Sequence, residues 1–176
     1  MIRPDRPRRD PVALRLLDAG TQGLNVAGTL LIFGLMLLIG ADVAGRNLFG
    51  RPVPGVPEMV SFSIVAIVFL QVPQALRSGR LTRSEALLSV LRARAPRAGR
   101  LLESLFDLVG MGVVGVIVWT TWPILTRAWS TGQFTGAIGD FTMPVWPVKA
   151  IIILGSSVLI AQFAARILRR HLGLSP

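Results

Sequence analysis

Long uncharged apolar runs alternate along this chain with short connectors rich in arginine or proline. Ala19–Ala41 is 23 residues without a charge, Met59–Leu76 is 18, Leu108–Thr126 is 19 and Ala150–Ala165 is 16. A helix that crosses a hydrocarbon core about 30 Å thick needs about 20 predominantly apolar residues. Three runs meet that length outright. The fourth meets it by borrowing Val145–Lys149, with Trp146 as an interface anchor and Lys149 snorkelling outward. The pattern predicts an all-α polytopic membrane protein with four transmembrane helices, spans near 20–40, 58–76, 101–125 and 145–166. These form a single membrane domain over 14–170, flanked by tails at 1–13 and 171–176. The first tail, with its prolines and alternating charges, offers no apolar face to bury and is expected to be disordered. The first run exceeds the 7–15 apolar residues of a signal peptide and no Ala-x-Ala site follows it, so it is read as a retained span.

The connectors have their own chemistry. Gly50–Pro57 carries Pro52, Pro54 and Pro57 with Gly50 and Gly55, a composition that forbids a helix and predicts a stiff extended loop. Pro57 and Glu58 suit the first turn of helix two, where a missing N–H costs nothing and a carboxylate meets the positive helix end. Pro73 is expected to kink that helix near its other end. Between helices two and three, Ser84–Arg94 places Leu87, Leu88 and Leu91 together and Arg92 and Arg94 elsewhere. That pattern predicts a short cytoplasmic amphipathic helix lying in the headgroup plane. Ser130–Phe141 is rich in Gly, Thr and Ser and reads as an outer loop.

Composition narrows the class. Hydrophobic residues make up 52% of the chain and mean hydropathy is +0.61, so the net charge of +10 does not describe a soluble nucleic-acid binder. If the N-terminus is cytoplasmic, fifteen of the nineteen Lys and Arg fall in the tails and the second connector; only Arg46, Arg51, Arg127 and Lys149 fall outside. This positive-inside asymmetry predicts that both termini are cytoplasmic and that the arginines meet anionic lipid headgroups. No nucleic-acid partner is expected.

Candidate chemistry within the spans is sparse. Cysteine is absent and His171 is the sole histidine, which removes thiol chemistry and the usual metal and haem ligands. No catalytic, metal or cofactor site is expected, and no enzyme activity. Arg100, Glu103 and Asp107 share one face of helix three, so Asp107 is expected to pair with Arg100 or Arg77 at the membrane boundary. Asp42 and Arg46, four residues apart, are expected to form an ion pair at the outer end of helix one. Gly20, Gly23 and Ala27 on helix one, and Ser157, Ala161 and Ala165 on helix four, form small-residue stripes suited to close helix approach. The residues by themselves describe a small helical scaffold that packs against something larger.

Ala41–Glu58, A-D-V-A-G-R-N-L-F-G-R-P-V-P-G-V-P-E, resembles the end of the first helix and the first outer loop of the DctQ-like family, the small membrane subunits of tripartite ATP-independent periplasmic (TRAP) transporters. Asp42, Arg46, Phe49, Arg51, Pro52, Gly55 and Glu58 follow that pattern in order. Gly79, Arg83 and Glu85 fit the family's cytoplasmic stretch after helix two, with Leu81 in place of the usual histidine, and T-M-P-V-W before helix four also fits. The resemblance implies a bacterial inner-membrane protein. Its partners would be a large sodium-coupled TRAP permease and a periplasmic substrate-binding protein that delivers an organic acid. It implies a stationary role for this subunit, with Asp42, Arg46, Arg51 and Glu58 near partner contacts. The alternatives are a free-standing small exporter or channel, in which Asp107 would be a functional carboxylate, and a four-span membrane enzyme, for which no nucleophile or acid–base cluster is present.

Overall fold

A computed structural model describes residues 11–79, 96–137 and 141–172. Four helices, α1 (Val12–Phe49), α2 (Val56–Arg77), α3 (Pro96–Ser130) and α4 (Trp146–Leu172), are each long and apolar enough to span a membrane. α1 starts two residues before the boundary expected from the sequence. α2 opens with Pro57 in its first turn and Glu58 beside it, and continues as one helix through the buried Pro73. α3 likewise continues through Pro123. The amphipathic segment with Leu87, Leu88 and Leu91 lies outside the described residues.

One feature of the outer connector was not expected: Phe134–Ala137 (β1) and Phe141–Pro144 (β2) pair antiparallel, Phe134 opposite Pro144 and Ala137 opposite Phe141. The Gly, Thr and Ser content that reads as an irregular loop also supplies Gly136, whose φ of 108° lies outside the range that side chains favour. The hairpin rests on the Pro-rich loop. Phe141 occupies the space a Cβ on Gly55 would need, and Gly55 itself has φ 77°. Glycine is therefore required there twice over, by backbone conformation and by the ring against it.

α4 packs against both α2 and α3, and α1 lies against α2 and touches α4. Close approach at the α2–α4 contact needs Gly155, since a Cβ there would meet the Phe69 carbonyl. At the α3–α4 contact Gly110 makes room for the Phe163 ring, whose Cζ would lie 2.8 Å from an added Cβ. Leu76, Leu159 and Phe163 form the buried core, with Val72, Met111 and Val114 packed on it. On α1 the buried positions are Leu14, Thr21, Gly28 and Asp42, all separated by multiples of seven. That period is the seam of helices crossing at a shallow left-handed angle. Gly28 is the tight point, with Gln71 Cγ 2.8 Å from where a Cβ would stand.

Candidate functional site

Charge sits at the two ends of the bundle. Between Asp18 and Asp42, Glu58 and Arg77, Asp107 and Arg127, and Lys149 and Arg166, the four helices carry no ionisable side chain. The end that holds the start of α1 and the finish of α4, here the terminal end, is tied by a polar network. Arg169 Nη2 donates to Asp18 Oδ2 at 2.7 Å, and Arg77 Nε lies 3.2 Å from Asp18 Oδ1. Gln162 Nε2 donates to Thr21 Oγ1 at 2.7 Å and to Asp18 Oδ1 at 3.3 Å. One carboxylate of α1 thus gathers the ends of α2 and α4.

The next residue of α4 reaches the other way. Arg170 Nη2 lies 3.1 Å from Asp107 Oδ2 and 3.2 Å from Glu103 Oε2, while its Nη1 donates to Ser104 Oγ at 3.0 Å. Asp107 is fully buried and Glu103 nearly so. Arg169 and Arg170 are adjacent, so successive side chains diverge by about 100° on a helix. One serves α1 and the other α3. Of the two cations expected on Asp107, Arg77 is turned to Asp18, and α4 contributes a further one, Arg170. Adjacency in sequence on α3 favoured Arg100, whose side chain lies outside the described residues, but only tertiary packing brings Arg170 alongside.

At the opposite end, the loop end, Asp42 is buried and holds two partners. Its Oδ2 accepts from Arg46 Nη2 at 2.9 Å, and its Oδ1 accepts the Val53 backbone N–H, also at 2.9 Å. The i,i+4 spacing of Asp42 and Arg46 is visible in the sequence; the loop anchor at Val53 is not, because it depends on how 50–55 folds back. Gly50, with φ 65°, ends α1, and the Arg51 N–H caps the Gly45 carbonyl at 3.2 Å. Arg46 and Arg51 point outward, and Glu58 is half-buried in the first turn of α2. The Trp146 ring meets Trp129 edge-on with centroids 4.6 Å apart. Lys149, one turn further along α4, is half-buried.

The two small-residue stripes behave differently. Gly20, Gly23 and Ala27 are exposed, and a Cβ on either glycine would meet nothing within 4 Å. They lie off the Thr21–Gly28 seam and face away from the rest of the chain. On α4, Ser157 is exposed with its hydroxyl donating to Ile153 O, Ala161 is half-buried and Ala165 is buried. That stripe turns from the surface into the core along its length.

Sequence reasoning missed Asp18, Arg77, Gln162 and Arg169 as one unit, and Arg170 as a cation on Asp107. The available signal was that Asp18, Arg77 and Arg169 fall at the same membrane boundary once four spans are assumed.

Neither a curated protein nor a solved structure matches the chain. The family model for tripartite ATP-independent periplasmic transporters, DctQ component, matches residues 35–173, most of the chain and all of α2, α3 and the hairpin. The chain therefore belongs to the DctQ family: with its four membrane-length helices it is a multi-pass inner-membrane protein, the small permease component of a TRAP transporter that associates with a large permease and a periplasmic binding protein.

Proposed function

We propose that this subunit is the stationary scaffold of its transporter, supporting a large sodium-coupled permease in the uptake of an organic acid delivered by the binding protein. The observation that carries the reading is the open Gly20–Gly23–Ala27 face of α1, set in a helix whose other face is already packed on α2. Bare glycine faces let another helix backbone approach closely. The uncharged middles of the spans support the same reading, since solute and ion sites in transporters are built from broken helices or ionisable groups near the bilayer midplane. The exporter alternative draws less support, because Asp107 is closed into an ion pair with Arg170 at one end of the bundle.

In this reading the terminal end faces the cytoplasm, following the fifteen-to-four distribution of cations. Leu87, Leu88 and Leu91 hold the connector between α2 and α3 to the same membrane surface. Asp42 and Arg46 orient the Pro-rich loop, and with Arg51 and Glu58 they border the surface used by the partners. The Ser157 and Ala161 end of the α4 stripe is a second close-approach surface.

Uptake into proteoliposomes with each of the three components omitted in turn tests the scaffold role. Transport is expected only with the large permease present, and solute movement by this chain alone would sink the proposal. Reporter fusions at Asp10 and Pro176 test the orientation; both should read as cytoplasmic.

A further inference from the structure

We propose that the α3–α4 surface in the loop-end half of the bundle binds one phospholipid, its acyl chain in an apolar groove and its phosphate between Lys149 and Arg127. The groove is lined by Gly115, Val118, Trp119, Trp122 and Pro123 of α3 and Ile160 of α4, and its volume is about 600 Å³. The two indole N–H groups are the only polar side-chain atoms in that lining, and neither has a hydrogen-bond partner among the described residues. Gly115 leaves the floor open, with nothing within 4 Å of where its Cβ would stand.

Two contacts fix the register of the groove's walls: Gly110 against Phe163 and Trp129 against Trp146. Counting between them on antiparallel helices, Lys149 of α4 is level with Leu125 and Thr126 of α3, one to two residues before Arg127. Lys149 precedes Ile160 by eleven residues, which returns to the same helix face. Arg127 follows Pro123 by four residues, one turn or about 6 Å nearer the loop end. Each wall therefore ends in a cation, and neither cation has a side-chain partner among the described residues. The Trp129–Trp146 pair sits just beyond them, at the level where aromatic belts mark the headgroups.

The occupant follows from the shape and the charge. Gly115 lies near the middle of α3, so the apolar channel covers one leaflet and stops, whereas a partner helix would use a face running the full span. A single-leaflet channel crowned by Lys and Arg matches an acyl chain attached to a phosphate, which both cations bind through charge-assisted hydrogen bonds.

Native mass spectrometry of the purified full chain titrated with phosphatidylglycerol should show one retained lipid. Diacylglycerol with the same acyl chains should bind at least tenfold more weakly. Arg127→Gln with Lys149→Gln should weaken phosphatidylglycerol binding at least tenfold. Gly115→Leu, which extends a side chain into the groove from a position where a Cβ meets nothing within 4 Å, should do the same. In a Trp129→Phe, Trp146→Phe background, phosphatidylglycerol with brominated chains should quench Trp119 and Trp122, and Gly115→Leu should abolish the saturable part of the quenching. Equal retention of diacylglycerol, or binding unchanged by Gly115→Leu, would overturn the proposal. So would a cross-link from Val118→Cys to the large permease in the assembled complex, which would assign the groove to a partner helix; the chain's lack of native cysteine makes that label specific.

Discussion

Asp42 at the loop end and Asp107 at the terminal end are both buried carboxylates paired with arginine, yet they secure different things. Asp42 bonds to Arg46 in its own helix and to Val53 in the loop that follows, so its reach in sequence is four and eleven residues. Asp107 and Asp18 are reached from α4 across 63 and 151 residues. The loop-end pair shapes a connection, while the terminal-end network holds separate helices together. Arg46 is 65% exposed and Arg170 only 15%, so water screens the first pair and hardly reaches the second. The consequences of breaking them should differ accordingly.

The largest effect is expected from Arg170→Ala, which removes a cation that the buried Glu103 and Asp107 share. Removing one partner of a buried pair costs about 3–5 kcal/mol. Reversible unfolding in mixed micelles should show a loss of that order, and a loss below about 1 kcal/mol would mean that water reaches the network and the two ends do not differ.

Two glycines of α1 sharpen the contrast between packed and open faces. Gly28→Leu drives a side chain into Gln71 and should destabilise the isolated subunit by about 1–3 kcal/mol, the usual cost of overpacking. Gly23→Leu starts from an exposed position where a Cβ meets nothing within 4 Å and should leave the unfolding of the subunit nearly unchanged, within about 0.5 kcal/mol. If that face meets the large permease, Gly23→Leu should instead reduce co-purification of the two subunits. Equal effects of both substitutions on the isolated chain would remove the open face as a docking surface.

The smaller effects lie at the loop end. Asp42→Ala strands the Val53 N–H and should cost about 1–3 kcal/mol. Arg46→Ala removes only the exposed half of the pair and should cost about 0–1 kcal/mol. Binding of the periplasmic partner provides the functional readout. If Arg46→Ala weakens that binding more than Asp42→Ala does, the arginine contacts the partner directly, and loop shape is the lesser factor.

The Asp42–Arg46 spacing was readable because both groups lie on one helix face, and local geometry alone brings them together. The contact of Arg170 with Asp107 was not readable, since nothing local on helix three points to a residue of α4. The small-residue stripe of helix one illustrates the same limit. Glycine and alanine spacing predicted close approach at Gly20, Gly23 and Ala27, but the buried seam within the chain runs through Thr21 and Gly28, one helical step from Gly20 and two from Gly23. The spacing of small residues did not by itself mark the face packed within the chain.

The number of spans, their lengths, the Pro-rich turn into α2 and the placement of charge at helix ends are consequences of transfer free energy and backbone chemistry, which act residue by residue. The sequence by itself determined these. Which helices touch, which way Arg169 and Arg170 diverge, how Phe141 settles on Gly55, and which glycines meet a neighbour depend on the relative rotation of four helices that are apolar on nearly every side. With no polar face to orient such helices, their rotation is set by the fit of Gly155 against the Phe69 carbonyl, Gly110 against Phe163 and Gly28 against Gln71. Only the tertiary structure decided that, because fit between surfaces is a property of the pair and of neither helix alone.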